Sequence, residues 1–300
     1  MKKVTRLMVI FATSLVFIGG AIFAVAMTIN GWDFSKLTTK DYVTKSYEIT
    51  QEFTSIDVDV STADLNVKLA TDGKCMVVTY EDKKIEYTPN VSNGTLKISK
   101  KDNRKWYDYI GINAGSSQIT VYLTQSQLDA LNIKASTADV TIYKELTFEN
   151  ININLSTGDV KCYASAENQI KVKVSTGDIK LENLTAGSID LKATTGGVVV
   201  KNVNCQSFVS SASTGDLEMK NVVATQSFNI VRDTGKVKFE GCDAGEIYIE
   251  TDTGDVEGSF LSAKVFDVRT DTGKISYPQS TSGGLCKITT DTGDVTITIK

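Results

Sequence analysis

The chain has 300 residues, 41% of them apolar and 23% charged, with 22 glycines, two prolines and a formal net charge of −4. An apolar share of this size supports a buried core and excludes a disordered chain. There is no histidine, which excludes Ser-His-Asp and Cys-His catalysis and removes the commonest transition-metal ligand.

Lys2, Lys3 and Arg6 make residues 1–6 a basic tail, and an uncharged run follows over residues 7–29. About 20 apolar residues span a bilayer as a helix, and positive flanks stay cytoplasmic. The run therefore predicts a single-pass anchor in the cell membrane, with the N-terminus cytoplasmic and the rest of the chain extracytoplasmic. Ala24-Val25-Ala26 has the small-x-small form of a cleavage site, so a cleaved signal peptide is the alternative. With the tail inside, 29 of the 32 basic side chains remain outside against 36 acidic ones. Such an acidic ectodomain argues against nucleic acid as a partner.

Residues 30–55 read as a linker and first strand, and residues 56–300 as one repetitive domain. A Thr-Gly corner phrase recurs at Gly158, Gly177, Gly196, Gly215, Gly235, Gly254, Gly273 and Gly293, in steps of 19 or 20. Alanine replaces the glycine in two earlier copies, Ala63 and Ala138, and threonine precedes all ten. Apolar residues recur seven and five positions before this origin and two after it, for example Ile151, Ile153 and Val160. That alternation predicts strand, tight turn and strand, with one face inward. A unit this small cannot bury its apolar face alone, so copies must stack. The predicted fold is all-β: a parallel β-solenoid with one 19–20-residue coil per repeat, coils about 4.8 Å apart. A β-propeller, the competing fold, needs blades of about 40 residues. Asn183, Asn202 and Asn221 share one column, where stacked amides can hydrogen-bond along the axis.

Between residues 71 and 130 the repeat degenerates. The two flanking origins are nearly four periods apart, so the segment has room for further degenerate coils. It carries Arg104, Lys105, Trp106, Tyr107 and Tyr109. Cations and aromatic faces together can bind glycans, lipid headgroups or wall polymers, and these five are the candidate ligand contact. Packing of the rings against the rod is the plainer role.

The five cysteines stand in apolar columns or, for Cys75, outside them, and predict buried free thiols rather than bridges. The acids sit at the corners. Glycine there supplies positive φ, and a Ser or Asp two before it can accept a nearby backbone N–H. In the column after the glycine, Asp216, Lys236, Asp255, Lys274 and Asp294 alternate in charge. Two before it, Asp233, Asp252, Asp271 and Asp291 stack as four carboxylates. Calcium is the ion such a column could take, but a corner role accounts for it. No metal, cofactor or catalytic residue is expected.

The anchor, "FTSIDVDVSTADLNV" at 53–67, "VSNGTLKIS" at 91–99 and "ITVYLTQSQLDALNIKASTADV" at 119–140, leading into the STGD repeats, resemble a known group. It is the bacterial putative-adhesin family of β-strand-repeat domains of unknown function, and the resemblance covers roughly residues 50–300. Proline is common in that family where this chain has Thr124. The resemblance implies an envelope protein of the Gram-positive type, in some cases tied to envelope stress, and brings no catalytic residues with it. The expected function is a non-catalytic, membrane-anchored interaction or envelope-sensing module whose partners are the membrane and a cell-wall glycan or envelope protein. The alternative is a carbohydrate-active β-helix lyase or hydrolase using the stacked aspartates.

Overall fold

The computed structural model describes residues 3–33, 41–109 and 115–300. The apolar run forms one helix, Lys3–Ile29, long and apolar enough to cross a membrane. The strands that follow build a parallel β-solenoid with coils of about 20 residues. Equivalent columns face each other across coils, for example Ile151 against Leu131 and Ile170, and Phe208 against Ile189 and Phe228. The inward columns are sealed: Ile56, Leu131, Ile170, Leu191, Val198, Leu217 and Ile247 are buried. Four phenylalanines run through the core, with ring centroids 5.9 Å apart for Phe208 and Phe228, 6.5 Å for Phe228 and Phe239, and 5.4 Å for Phe239 and Phe260. Asn183, Asn202 and Asn221 form the expected ladder. Each has a left-handed backbone, φ 52–56°, and amide-to-amide bonds of 2.8 and 3.0 Å join them.

From Ala63 to Gly254 the coils stack in chain order. At the C-terminal end they do not. The coil cornered by Gly293 (Gly284–Thr292 and Val295–Ile299) lies directly on the Gly254 coil, pairing Cys286 with Ile247 and Val295 with Val256. The earlier Gly273 coil (Lys264–Thr272 and Ile275–Ser276) pairs with the far side of that inserted coil and ends the rod. A buried ion pair marks the crossing. Lys264 Nζ lies 2.6 Å from Asp243 and donates to the Ala244 carbonyl and the Ser262 hydroxyl.

The degenerate segment does not extend the stack in chain order either. Thr95–Asp102 and Gln118–Leu123 form one more parallel layer on the outer side of the Ala63 coil. Beyond it the chain runs backwards: Ile85–Ser92 and Met76–Asp82 pair antiparallel with that layer, and Tyr42–Glu48 pairs antiparallel with Met76–Asp82. The reversal is local chemistry. Asn93 and Gly94 both have positive φ, 51° and 70°, the backbone of a two-residue hairpin turn. Buried Glu81 clasps this cap, 2.7 Å from Lys45 Nζ and accepting the Tyr87 N–H at 2.9 Å, while the Tyr87 hydroxyl donates to the Thr62 carbonyl.

Candidate functional site

The corners come first, because the sequence placed its acids there. At every corner glycine, an added Cβ would stand 2.0–2.2 Å from the carbonyl oxygen of the corner residue one coil away. Seven of these glycines also have φ between 124° and 159°, but Gly254 does not. Contact between coils, more than turn conformation, demands glycine.

The expected capping residue is displaced by three positions. Ser156, Ser175, Ser213, Asp233, Asp252, Asp271 and Asp291 are exposed, and none makes a side-chain hydrogen bond among the described residues. The aspartate after the glycine acts instead, accepting the backbone N–H of the matching residue in the next coil. Asp139 N–H donates to Asp64, Asp159 to Asp139, Asp178 to Asp159, and Gly197 to Asp178, at 2.8–3.0 Å. Lys236, Asp294 and Lys274 N–H groups continue the ladder on Asp216, Asp255 and Asp294. These N–H groups point along the axis with no main-chain acceptor, which is why a carboxylate is used there.

Insertion of the last coil also changes the column orders. Asp255 and Asp294 become neighbours, so the charge alternation fails at that step. The outer carboxylates stack as Asp233, Asp252, Asp291, Asp271. Among the described residues, no three Cys, Asp or Glu side chains converge as a metal site requires.

The basic-aromatic segment occupies the corner of the extra N-terminal layer, where the other coils have a tight turn. Trp106–Tyr109 is a single 3-10 turn. Trp106 is 77% exposed and Tyr107 49%, meeting edge to face with centroids 5.8 Å apart. Lys84 and Lys105 place their ammonium groups 6.0 and 5.9 Å from the Tyr107 ring. Asp108 pins the turn, ion-paired with Lys84 and accepting the Lys105 N–H at 2.8 Å. Arg104 is held by a neighbouring carboxylate. Its guanidinium turns back onto Asp102 at 2.8 and 2.5 Å and, with Lys100, holds that carboxyl well below the usual carboxylate range. The side chain of Tyr109 lies outside the described residues.

A second aromatic-cation surface was missed in the sequence. Tyr122, Lys68, Tyr143 and Tyr163 follow one another on adjacent layers of one outer face. Lys68 Nζ lies 4.8 Å from the Tyr122 ring and 5.8 Å from Tyr143, and Lys180 lies 5.6 Å from Tyr163. The available signal was the shared column: Lys68, Tyr143 and Tyr163 all stand five after their origins. All five cysteines are free, and four are buried, with burial pushing the thiols of Cys162, Cys205 and Cys286 up to about 12.

Against this geometry, the sequence profile of the family described as Toastrack DUF4097 matches residues 53–208 and 200–300. Among solved structures, one described as a putative adhesin from Bacteroides fragilis NCTC 9343 aligns with a TM-score of 0.53 at 21% identity, over 88% of this chain and 99% of that one. Another, a putative adhesin from Parabacteroides distasonis ATCC 8503, gives 0.48 at 13% identity, over 87% and 98%. The first is a likeness of fold. Among curated proteins, none matches this sequence.

Proposed function

The chain belongs to the Toastrack DUF4097 family, and from that premise we propose that it is a non-catalytic, adhesin-like or envelope-sensing interaction module displayed outside the membrane. Residues 1–6 stay in the cytoplasm, 7–29 form the anchor, 30–55 lead into the first strand, and the solenoid of 56–300 presents the binding surface. The ligand is a cell-wall glycan, met by Lys105, Trp106 and Tyr107, with Arg104 holding the base of the loop and Tyr109 next in the chain.

One observation carries this reading. Trp106 is 77% exposed on a turn pinned by Asp108, beside a second ring and two cations. Large apolar rings usually leave water when the fold permits, so rings held outward suit stacking on sugar faces. The aspartates after the corner glycines already accept backbone N–H groups in the ladder, which leaves only the exposed column of Asp233, Asp252, Asp291 and Asp271 to a carbohydrate-active alternative.

The test is cosedimentation of the full chain, in detergent micelles, with isolated cell-wall glycan. Wild type should be retained. Trp106→Ala/Tyr107→Ala should bind on the order of tenfold more weakly, for two ring contacts of about 0.5–1.5 kcal/mol each, with an unchanged thermal midpoint. Equal retention of the variant would sink this assignment.

A further inference from the structure

The two ends of the solenoid are finished differently. The N-terminal end is closed by antiparallel strands and a buried Glu81 clasp. At the other end, among the described residues, Lys264–Thr272 pairs only with Gly284–Thr292, and Ile275–Ser276 only with Val295–Ile299. One edge of that last coil is therefore bare. Its inward columns are only partly covered: Ile275 is 41% exposed, whereas Val256 and Val295 in the same column are 0%, and Phe266 is met by the Tyr277 ring at 5.1 Å. Phe266 and Val268 are half-buried, where Cys286 and Ile288 beneath them are sealed. Stacked-repeat proteins normally cover such an end with a polar cap, and bare strand edges template pairing with another chain.

We propose that this open end is an interface between two copies of the chain, formed by antiparallel pairing of Lys264–Thr272 with the partner's equivalent strand about Val268. The charges select both the occupant and the register. Directly opposed residues share a face, so a two-fold axis must pass through a residue for the two inward faces to line one continuous core. Centred on Val268, the pairing sets Asp267 against the partner's Arg269 and Arg269 against the partner's Asp267. Centred on Arg269, it sets Arg269 against itself and Asp267 against Asp271; centred on Asp267, it sets Asp267 against itself. The Val268 register makes two opposite-charge pairs while pairing the whole of Lys264–Thr272; a register centred on Thr270 also makes two, Arg269 with the partner's Asp271, but overlaps only residues 268–272. In the single chain, Asp267 and Arg269 pair with each other at 3.3 Å, with side chains 42% and 73% exposed, and neither makes another ion pair among the described residues. Both are free to exchange that contact for one across the interface. The strand following the helix, Tyr42–Glu48, lies in the opposite cap, so joining the open ends sets the two anchors at far ends of one longer rod.

The test is the mass of the full chain in detergent micelles by light scattering, with no wall material present, so it stands or falls apart from the glycan reading. Wild type should be a dimer. Asp267→Lys and Arg269→Glu, each placing like charges opposite one another, should both be monomers, with the wild-type thermal midpoint at concentrations where the wild type is itself monomeric. The double variant Asp267→Lys/Arg269→Glu should recover the dimer, and Lys238→Glu, on another face, should keep it. A monomeric wild type overturns the proposal. So does a dimer that persists in both single variants, because the contact then lies elsewhere, such as in the apolar helix.

Discussion

Gly254 sits so close to the neighbouring coil that an added Cβ would meet the Gly235 carbonyl oxygen at 2.0 Å. Gly235 has the same crowding, at 2.2 Å, and in addition a φ of 148°. Gly254→Ala should therefore lower stability by about 1–3 kcal/mol, the usual cost of forcing atoms into a packed site, and Gly235→Ala should cost more through added strain. Denaturant midpoints check both, and a wild-type midpoint for Gly254→Ala would refute the crowding account. Arg232 is the opposite case, a large cation wholly buried in an apolar column. It donates to Ser210 at 2.8 Å and to the Val231 carbonyl at 2.9 Å, while its Nε has no hydrogen-bond partner among the described residues. Burial lowers its pKa to about 10, partly opposed by Asp216. A cation whose folded pKa is lowered costs stability while charged in the folded state. That cost shrinks as pH rises through the folded value, because the unfolded chain then holds more protons. Arg232→Met should accordingly be more stable at neutral pH, by about 1–3 kcal/mol, and its advantage should narrow above about pH 10. Urea unfolding at both pH values checks the sign, and a destabilised variant would mean the guanidinium pins the coils together.

Among the elements, the corner and the asparagine turn make separable predictions. Asp159→Ala removes the acceptor of the Asp178 N–H and should cost about 1 kcal/mol, whereas Asp252→Asn, exposed and unbonded, should change nothing. Millimolar calcium should leave both thermal midpoints in place, and a rise lost in Asp252→Asn would make the outer column a metal site. Asn202→Gly should be milder than Asn202→Ala, since glycine adopts the left-handed backbone freely and Gly241 already holds that column, at φ 61°. The strand–corner–strand unit and its inward columns were legible because period-2 burial and a fixed corner phrase repeat ten times. The capping residue was not, because Ser and Asp two before the glycine have turn chemistry as good as that of the aspartate after it. What decides between them is an N–H aimed along the axis, visible only once the coils are stacked. Stack order was equally hidden. The Gly273 and Gly293 coils carry the same phrase and equivalent columns, so either fits on Gly254. The one clue is Gly283-Gly284, where an added Cβ would stand 1.8 Å from the Ala263 carbonyl oxygen and 1.6 Å from that of Gly245, as a strand threading between two coils requires.

The whole molecule is a rod whose terminal segments are built inward. The first coil, at Ala63, lies under the later 95–123 layer, and the last coil lies beneath the earlier Gly273 coil. Fraying should follow position in the stack rather than in the sequence, because opening begins where fewest neighbours pair. Amides of Lys264–Thr272 should exchange with solvent faster than those of Gly284–Thr292 at monomer concentrations, and the reverse order would contradict the insertion. The candidate binding loop was legible as composition, through Trp106, Tyr107 and Lys105. The pairing of Arg104 with Asp102 was not, since it depends on the folded corner. All of this bears on function only if the rod faces outward, and the most direct measurement is on intact cells carrying the full chain. Cys75→Ser removes the one half-buried thiol and leaves four buried ones, and Lys238→Cys adds a single reactive site on the solvent face, where the lysine side chain is 56% exposed. A membrane-impermeant maleimide should label this cysteine before lysis as fully as after it. Labelling only after lysis would place the solenoid inside the cell and contradict the account.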